Sequence, residues 1–211
     1  MPLQNRVLPT GDIVATPARG TVLGNRGILH DATRTLESRR WQHQNWVCCV
    51  LSFKGRRREV MAPRRYTELF FLDEAVAFAA GHRPCGECRR AAYHAYLDGW
   101  QAAFGDRPAP RVMDKALHRA RVNRDRSQVR FEALSDSLPD GVFILWDGLP
   151  HLVHGAALYR FGPAGYAPSV RRPPCTMVTV LTPAPTVAVL QTGYAIGVHP
   201  SATIDVSPPK A

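Results

Sequence analysis

Two cysteines stand two residues apart in the stretch AAGHRPCGECRR (residues 79–90), which is the spacing of a metal-binding knuckle. In a Cys-x-x-Cys turn both sulfur atoms can face one ion, and structural zinc takes four tetrahedral ligands, usually thiolate or imidazole. Cys88 would open a following helix, whose N-terminus favours thiolate over thiol, as do the neighbouring arginines. Cys85 and Cys88 are therefore predicted to bind zinc, with a redox pair or plain buried cysteines as the alternatives.

The remaining ligands must come from elsewhere in the chain. Cys48 and Cys49 lie on the predicted strand NWVCCVLSF, and adjacent side chains of a strand point to opposite faces. One of the two is expected to bind metal and the other to lie in the core, with His30, His43 and His82 as further candidates. Three thiolates with one imidazole would make a closed structural site, whereas three ligands with water would make an open one able to catalyse. The predicted ligands are drawn from Cys48, Cys49, Cys85 and Cys88.

The segment YTELFFLDEAVAFAAGHRPCGECRR resembles the second half of the zinc-binding domain of the Ada family of DNA-methylation repair proteins. That family has a Phe-Phe pair, an Ala-rich helix and then Ala-Gly-Phe-Arg-Pro-Cys-x-x-Cys-Arg. The resemblance, over about residues 46–90, implies that Cys85 and Cys88 bind zinc. It matches Cys48 or Cys49 with the family's first cysteine, which binds zinc and accepts a methyl group from a DNA phosphotriester. The place of the family's fourth thiolate holds serine or phenylalanine here. The rest of the chain resembles bacterial proteins that share its GNRG…LFFLDEA…AAGHRPC pattern.

The net charge of +10 is unevenly distributed. Residues 1–131 carry 23 basic and 12 acidic side chains, whereas residues 132–211 carry four and five. A polyanion-binding surface would therefore belong to the first part. Arginine forks near the predicted knuckle suit phosphate oxygens, and a tryptophan among them could stack on a base; a solvated basic face with tryptophans in the core is the alternative. The predicted nucleic-acid-binding residues are Arg56, Arg57, Arg58, Arg64, Arg65, Arg89, Arg90 and Trp46.

Candidate catalytic residues are fewer. His30 and Asp31 follow GNRG in a predicted turn, a context in which functional residues gather. Asp114 and His118 stand one helical turn apart and could orient each other, or simply form a surface hydrogen bond. No P-loop, dinucleotide fingerprint or His-Glu-x-x-His motif is present, which argues against nucleotide hydrolysis, hydride transfer and metalloprotease chemistry. A nuclease or base-removing enzyme stays open.

The pattern of elements predicts an α+β fold. Residues 1–130 are expected to form a basic, zinc-containing part in which short strands and helices follow a turn-rich entry segment. Residues 131–211 are expected to form a β-rich part with one helix, at LTPAPTVAVLQTG. Five cysteines, an odd count, argue against a disulfide framework, and no apolar run suits a signal peptide or a membrane span, so a cytoplasmic protein without a membrane partner is expected.

The sequence thus favours a zinc-binding protein that binds nucleic acid, DNA rather than RNA, with zinc in a mainly structural role. The first alternative is an enzyme that hydrolyses or repairs nucleic acid through His30, Asp31 or the metal. The second alternative is a zinc-stabilised module whose basic face binds an acidic protein.

Overall fold

In a computed structural model, which describes residues 1–56 and 59–202, the chain has the predicted α+β architecture. Four α-helices and two six-stranded sheets are formed by these residues. The strands are β1 (Gln4–Val7), β2 (Ile13–Ala15), β3 (Val22–Asn25), β4 (Val47–Val50), β5 (Leu69–Phe71), β6 (Arg83–Pro84), β7 (Phe131–Leu134), β8 (Phe143–Trp146), β9 (Leu149–His154), β10 (Ala157–Gly162), β11 (Gly165–Arg171) and β12 (Met177–Val180). The helices are α1 (Glu74–Ala79), α2 (Arg90–Phe104), α3 (Pro110–Arg121) and α4 (Ala184–Gln191), with a 3-10 turn at Ser135–Ser137.

The first sheet has the strand order β2-β1-β5-β3-β4-β6 and mixes parallel with antiparallel pairs. β1 runs parallel to β5 and β4 runs parallel to β6, while the other neighbours are antiparallel. In the β4–β6 pair, Val47 lies opposite Arg83 and Cys48 opposite Pro84. The entry segment predicted as turn-rich supplies three of these strands, each only three or four residues long. Such strands are too short for apolar alternation to stand out in the sequence.

The second sheet, in the order β11-β10-β9-β8-β12-β7, is entirely antiparallel. Strands β8 to β11 follow one another as hairpins. The β8–β9 hairpin turns through Asp147 and Gly148, both at positive φ (49° and 73°), which is the conformation of a two-residue type I′ turn. The predicted β-rich character of this part is confirmed.

Particular residues mark several of the helix ends. The Asp73 side chain caps α1 by accepting a hydrogen bond from the Val76 N–H at 2.9 Å, and the chain leaves this helix at Gly81 with φ of 83°. Gly105, at φ of 85°, ends α2, and Pro110 occupies the first turn of α3. Along the chain, β6 therefore lies between the end of α1 and the start of α2.

One cluster of buried apolar side chains contains residues from both sheets and from all four helices. Polar contacts cross the same region: the Tyr166 hydroxyl donates to the Asp73 carboxylate at 2.7 Å, and Tyr96 bonds Thr186 at 3.0 Å. The two sheets therefore share a core. Across residues 1–56 and 59–202, none of the helices is both long and apolar enough to cross a membrane.

Candidate metal centre

Cys49, Cys85 and Cys88 converge at one end of the β4–β6 pair. β4 carries Cys49, and Cys85 directly follows β6, where its N–H donates to the Cys48 carbonyl at 3.0 Å. The chain then turns so that the Glu87 N–H donates to the Cys85 sulfur at 3.4 Å, and Cys88 precedes α2. The two strands and the entry to α2 thus bring together sulfur atoms from segments that are distant in the sequence.

The three sulfur atoms lie within 4.8 Å of one another, and all three side chains are half-buried. Zinc bound tetrahedrally at about 2.3 Å from each sulfur would set them about 3.8 Å apart, so small side-chain shifts would close the group around an ion. Thiolates are also ligands that zinc prefers. The three cysteines can therefore hold a metal ion. Within the described part of the chain, no histidine or carboxylate joins them as a fourth ligand.

Hydrogen bonds between the three thiols favour a thiolate at Cys85. The bond that Cys85 accepts from the Cys49 thiol is the main cause that lowers the pKa of Cys85 to about 5, and backbone N–H groups add to it. The same contact raises the pKa of Cys49, because that thiol must keep its proton in order to donate it. Burial raises the pKa of Cys88. Surroundings that stabilise one negative sulfur also suit a cation, which would displace the remaining thiol protons.

Cys48 lies outside this group, which corrects its place among the predicted ligands. Its side chain is fully buried on the opposite face of β4, as strand geometry requires for neighbours. Its sulfur accepts a hydrogen bond from Arg89 at 2.9 Å, and burial raises the pKa of this thiol to about 12. Cys48 is therefore a core residue, and Cys49 is the strand cysteine that faces the Cys85–Cys88 turn.

The predicted phosphate-binding arginines differ in their exposure and in their partners. Arg64, Arg65 and Arg90 are exposed, and Arg56 is exposed but pairs with Glu87 at 2.8 Å. Arg57 and Arg58 lie outside the described residues.

Arg89 does not have the exposed side chain that its predicted role in phosphate binding requires. Its guanidinium turns inward, where it pairs with buried Glu74 at 2.7 Å and donates to Cys48. That side chain anchors the start of α2 to α1 and does not face solvent phosphates.

Trp46 also departs from its predicted role. Only 2% of it is exposed, and its ring packs against the guanidinium groups of Arg26 and Arg121 and against the ring of His82. No face is left on which a nucleic-acid base could stack. Trp46 is a buried residue because these side chains cover its ring.

His30 and Asp31 are held by local hydrogen bonds. The ring nitrogens of His30 lie 2.6 Å from the Thr67 hydroxyl and 3.3 Å from the Ala62 carbonyl. The Asp31 carboxylate accepts from the backbone N–H groups of Thr33 and Thr35 and closes the turn that follows. Both residues border a surface cavity, but the structure does not bring them into the cysteine group.

Asp114 and His118 do not form the pair that their spacing suggested. The Asp114 carboxylate receives two hydrogen bonds from Arg83, at 2.7 and 2.8 Å, and both side chains are buried. His118 instead accepts from Arg121 at 3.0 Å. The Arg83–Asp114 pair ties β6, and with it the Cys85 turn, to α3.

The structure also reveals a group that the sequence analysis missed. Arg26 and Arg121 are both nearly fully buried and lie on the wall of a cavity together with Trp41. Arg26 belongs to GNRG and Arg121 to an arginine-rich helix, and neither was among the predicted site residues. Tertiary packing buries both side chains, and no pattern in the sequence indicates this burial.

Comparisons with models of protein families, with curated proteins and with solved structures give no match to this chain.

Proposed function

We propose that the chain is a nucleic-acid-binding protein, with DNA as the favoured partner, that is stabilised by one zinc ion held by Cys49, Cys85 and Cys88. The observation that carries the proposal is the approach of three sulfur atoms to within 4.8 Å of one another. A Cys-x-x-Cys turn supplies two of them, and the third comes from a neighbouring strand. This is the way in which small zinc sites join separate segments.

Zinc would stabilise the fold at a short strand pairing. β6 has two residues, so the β4–β6 ladder is short. An ion bound to Cys49 on one side and to Cys85 and Cys88 on the other would tie β4 to the entry of α2. Because metal binding to the folded chain adds directly to folding free energy, zinc would act as a structural element.

The proposed nucleic-acid surface lies on the same part of the chain. Arg64, Arg65 and Arg90 expose their side chains, and these forks suit phosphate oxygens. The resemblance to the Ada zinc-binding domain supports DNA as the partner. The resemblance matches Cys48 or Cys49 with the family's first cysteine, and Cys49 is the one of the two that lies beside Cys85 and Cys88.

The zinc proposal is tested by metal analysis of protein purified without added zinc. We expect about one equivalent per chain in the wild type and loss of the metal in Cys85→Ser. Cys175→Ser is the matched control, since Cys175 is exposed and lies outside the cysteine group. Metal-free wild-type protein with a native fold, in which Cys49, Cys85 and Cys88 are all alkylated freely, would refute the proposal.

The nucleic-acid proposal is tested by the salt dependence of DNA binding. The triple variant Arg64→Ala/Arg65→Ala/Arg90→Ala should bind DNA more weakly, and the slope of log K against log salt should fall by about one for each lost phosphate contact. Arg171→Ala, an exposed arginine of the second sheet, should leave the slope unchanged. Equal slopes in the triple variant and the wild type would remove these arginines from the surface. Binding to an acidic protein instead of DNA would favour an interaction module.

A second candidate, a nucleic-acid-processing enzyme, is favoured by the number of ligands. The described residues supply three, which leaves a tetrahedral position for water or substrate. Cleavage or base release that disappears in Cys88→Ser but persists in His30→Ala would assign the activity to the metal. The reverse result, with the fold retained, would assign it to His30.

A further inference from the structure

A cavity of about 350 Å³ opens beside the first sheet, away from the cysteine group. We call it the arginine pocket. Five arginines and a single aspartate are among its described lining residues, which also include two tryptophans. The five arginines are Arg26, Arg40, Arg121, Arg126 and Arg130, and Trp41 lines the pocket beside them.

Two of these arginines are buried without an anionic partner. Arg26 and Arg121 are 3% and 2% exposed, and their guanidinium carbons lie 4.1 and 3.8 Å from the centre of the Trp46 ring. Within the described chain neither forms an ion pair with a carboxylate, and the Nε atom of each has no hydrogen-bond partner. Backbone carbonyls accept the bonds of the other guanidinium nitrogens, and the His118 ring accepts one more from Arg121.

Such an arrangement is costly in the free protein. Burial is the main cause that lowers the pKa of Arg26 to about 9. Burial also lowers the pKa of Arg121, and the positive charge of Arg26 lowers it further. A guanidinium holds its proton at neutral pH, so both groups stay cationic and poorly solvated. Buried cations are usually paired, and an anion entering the pocket would supply the missing partner.

The fold holds Arg121 in this position. Its guanidinium donates to the Gly81 carbonyl and to the Gln44 carbonyl, each at 2.7 Å. A Cβ atom on Gly81 would approach the Arg121 side chain to 2.4 Å, and Gly81 also has φ of 83°, so a side chain there would displace the arginine. Glycine at the end of α1 thus serves both the turn and the pocket wall.

The rim adds charge and an aromatic surface. Arg40, Arg126 and Arg130 are exposed at the mouth, where Arg126 donates only to a backbone carbonyl, that of Ser38. Trp41 is partly exposed, and it contacts His118 edge-on with ring centres 5.3 Å apart. Arginine forks match phosphate oxygens, and a partly exposed indole offers a stacking surface to a planar ring.

We propose that the arginine pocket binds a nucleotide, with its phosphate among the arginines and its base against Trp41. The nucleotide can come from two sources, a free mononucleotide or the 5′-phosphorylated end of a nucleic acid, and both present the same phosphate. The arginine pocket is separate from the proposed zinc site, because none of the three cysteines lines it.

The test is a titration of the full chain as purified, with binding measured by tryptophan fluorescence and by calorimetry. The probes are a nucleoside monophosphate, the matching nucleoside, inorganic phosphate, and an oligonucleotide with and without a 5′-phosphate. The monophosphate should bind saturably and at least tenfold more tightly than the nucleoside. Tighter binding of the 5′-phosphorylated oligonucleotide than of the monophosphate would identify the nucleic-acid end as the source.

Arg40→Ala/Arg126→Ala should lower affinity for the monophosphate at least tenfold, because both side chains are exposed and their loss removes charge without opening the core. Arg40→Glu/Arg130→Glu, which leaves Arg126 in place, should abolish binding and guards against a folding effect of the first variant. Arg64→Ala/Arg65→Ala is the matched control and should bind as the wild type does. Absence of saturable binding by every phosphate probe, equal binding of the nucleoside, or wild-type affinity in both pocket variants would overturn the proposal. Failure of DNA binding through Arg64, Arg65 and Arg90 would leave it intact.

Discussion

The first sheet is built from strands of two to four residues, whereas the strands of the second sheet have four to seven. The two parts of the chain also differ in the side chains that they bury. The first part buries charged side chains, which are Arg26, Glu68, Asp73, Glu74, Arg83, Asp114 and Arg121. Among described residues after 130, the buried polar side chains are Ser135, His151, Thr182 and Thr186, and none is a lysine, arginine or carboxylate.

This contrast separates two ways of stabilising a sheet. The second sheet relies on long antiparallel ladders and apolar packing. The first has short ladders, and ion pairs such as Arg83–Asp114 and Arg89–Glu74 join its strands and helices. The cysteine group lies at the first sheet, and the arginine pocket is lined by loop residues next to its strands and by the last residues of α1 and α3. The elements that carry chemistry are therefore those that depend most on specific polar contacts.

The largest effect is expected from Asp114→Asn. This change leaves Arg83 buried without its anion, and breaking a buried pair from one side costs about 3–5 kcal/mol of unfolding free energy. Denaturant unfolding measures it. Asp98→Asn, in the exposed pair with Arg107, is the matched control and should cost no more than about 1 kcal/mol. Equal losses in the two variants would mean that the first sheet does not depend on its buried ion pair.

Leu152→Ala tests the second sheet in the complementary way. Leu152 is fully buried in β9, so truncation should lower the unfolding free energy by about 2–5 kcal/mol while metal content stays unchanged. Leu149→Ala, at an exposed position of the same strand, should change stability by less than about 0.5 kcal/mol. Loss of bound metal in Leu152→Ala would show that metal binding at the first sheet depends on the packing of the second.

If the cysteine group holds a metal ion as proposed, chelation of that ion should loosen the first sheet locally. The N–H groups of Arg83 and Cys85, which bond the carbonyls of Trp46 and Cys48, should exchange with solvent at least tenfold faster, equivalent to about 1.4 kcal/mol of local opening. The N–H of Val153 in the second sheet, bonded to the Val142 carbonyl, is the internal control and should change less. Uniform acceleration would mean that the chelated metal ion stabilises the whole chain as one unit.

Part of the fold could be predicted because it is encoded in short sequence patterns. Gly105 ends α2 and Asp73 caps α1, where single residues set the backbone conformation. The hairpins of the second sheet follow from turn residues such as Asp147-Gly148. The order of the first sheet could not be predicted, because β5 pairs with β1 and β3 through contacts between distant segments.

The candidate site divides in the same way. The spacing of Cys85 and Cys88 is a local pattern, and the structure brings their sulfur atoms together as predicted. Which of Cys48 and Cys49 joins them depends on the register of β4 against the core, which spacing alone does not set. The inward turns of Arg89 and Trp46 have the same cause. Side-chain type indicated surface contacts there, and tertiary packing placed both side chains elsewhere.

The smallest effect concerns acid stability, which should be a property of the first sheet. His82 is fully buried against Phe71 and Trp46, and neither ring nitrogen has a hydrogen-bond partner. Burial, followed by the charges of Arg26, Arg121, Arg83 and His43, lowers the pKa of His82 well below its ordinary 6.5. Below about pH 6.5 the unfolded chain therefore takes up a proton at this position that the folded chain refuses. The free energy of unfolding should therefore decrease as the pH is lowered below about 6.5, by at most about 1.4 kcal/mol per pH unit for this proton.

His82→Phe removes the titrating group and keeps an aromatic ring between Phe71 and Trp46. Its unfolding free energy, measured from pH 7 to pH 5, should fall less steeply than that of the wild type. His118, whose pKa burial and the Arg121 charge lower to about 4, remains in the variant and adds to the residual slope. Parallel pH profiles for the variant and the wild type would mean that His82 is not kept neutral by its buried position. The acid sensitivity would then not distinguish the first sheet from the second.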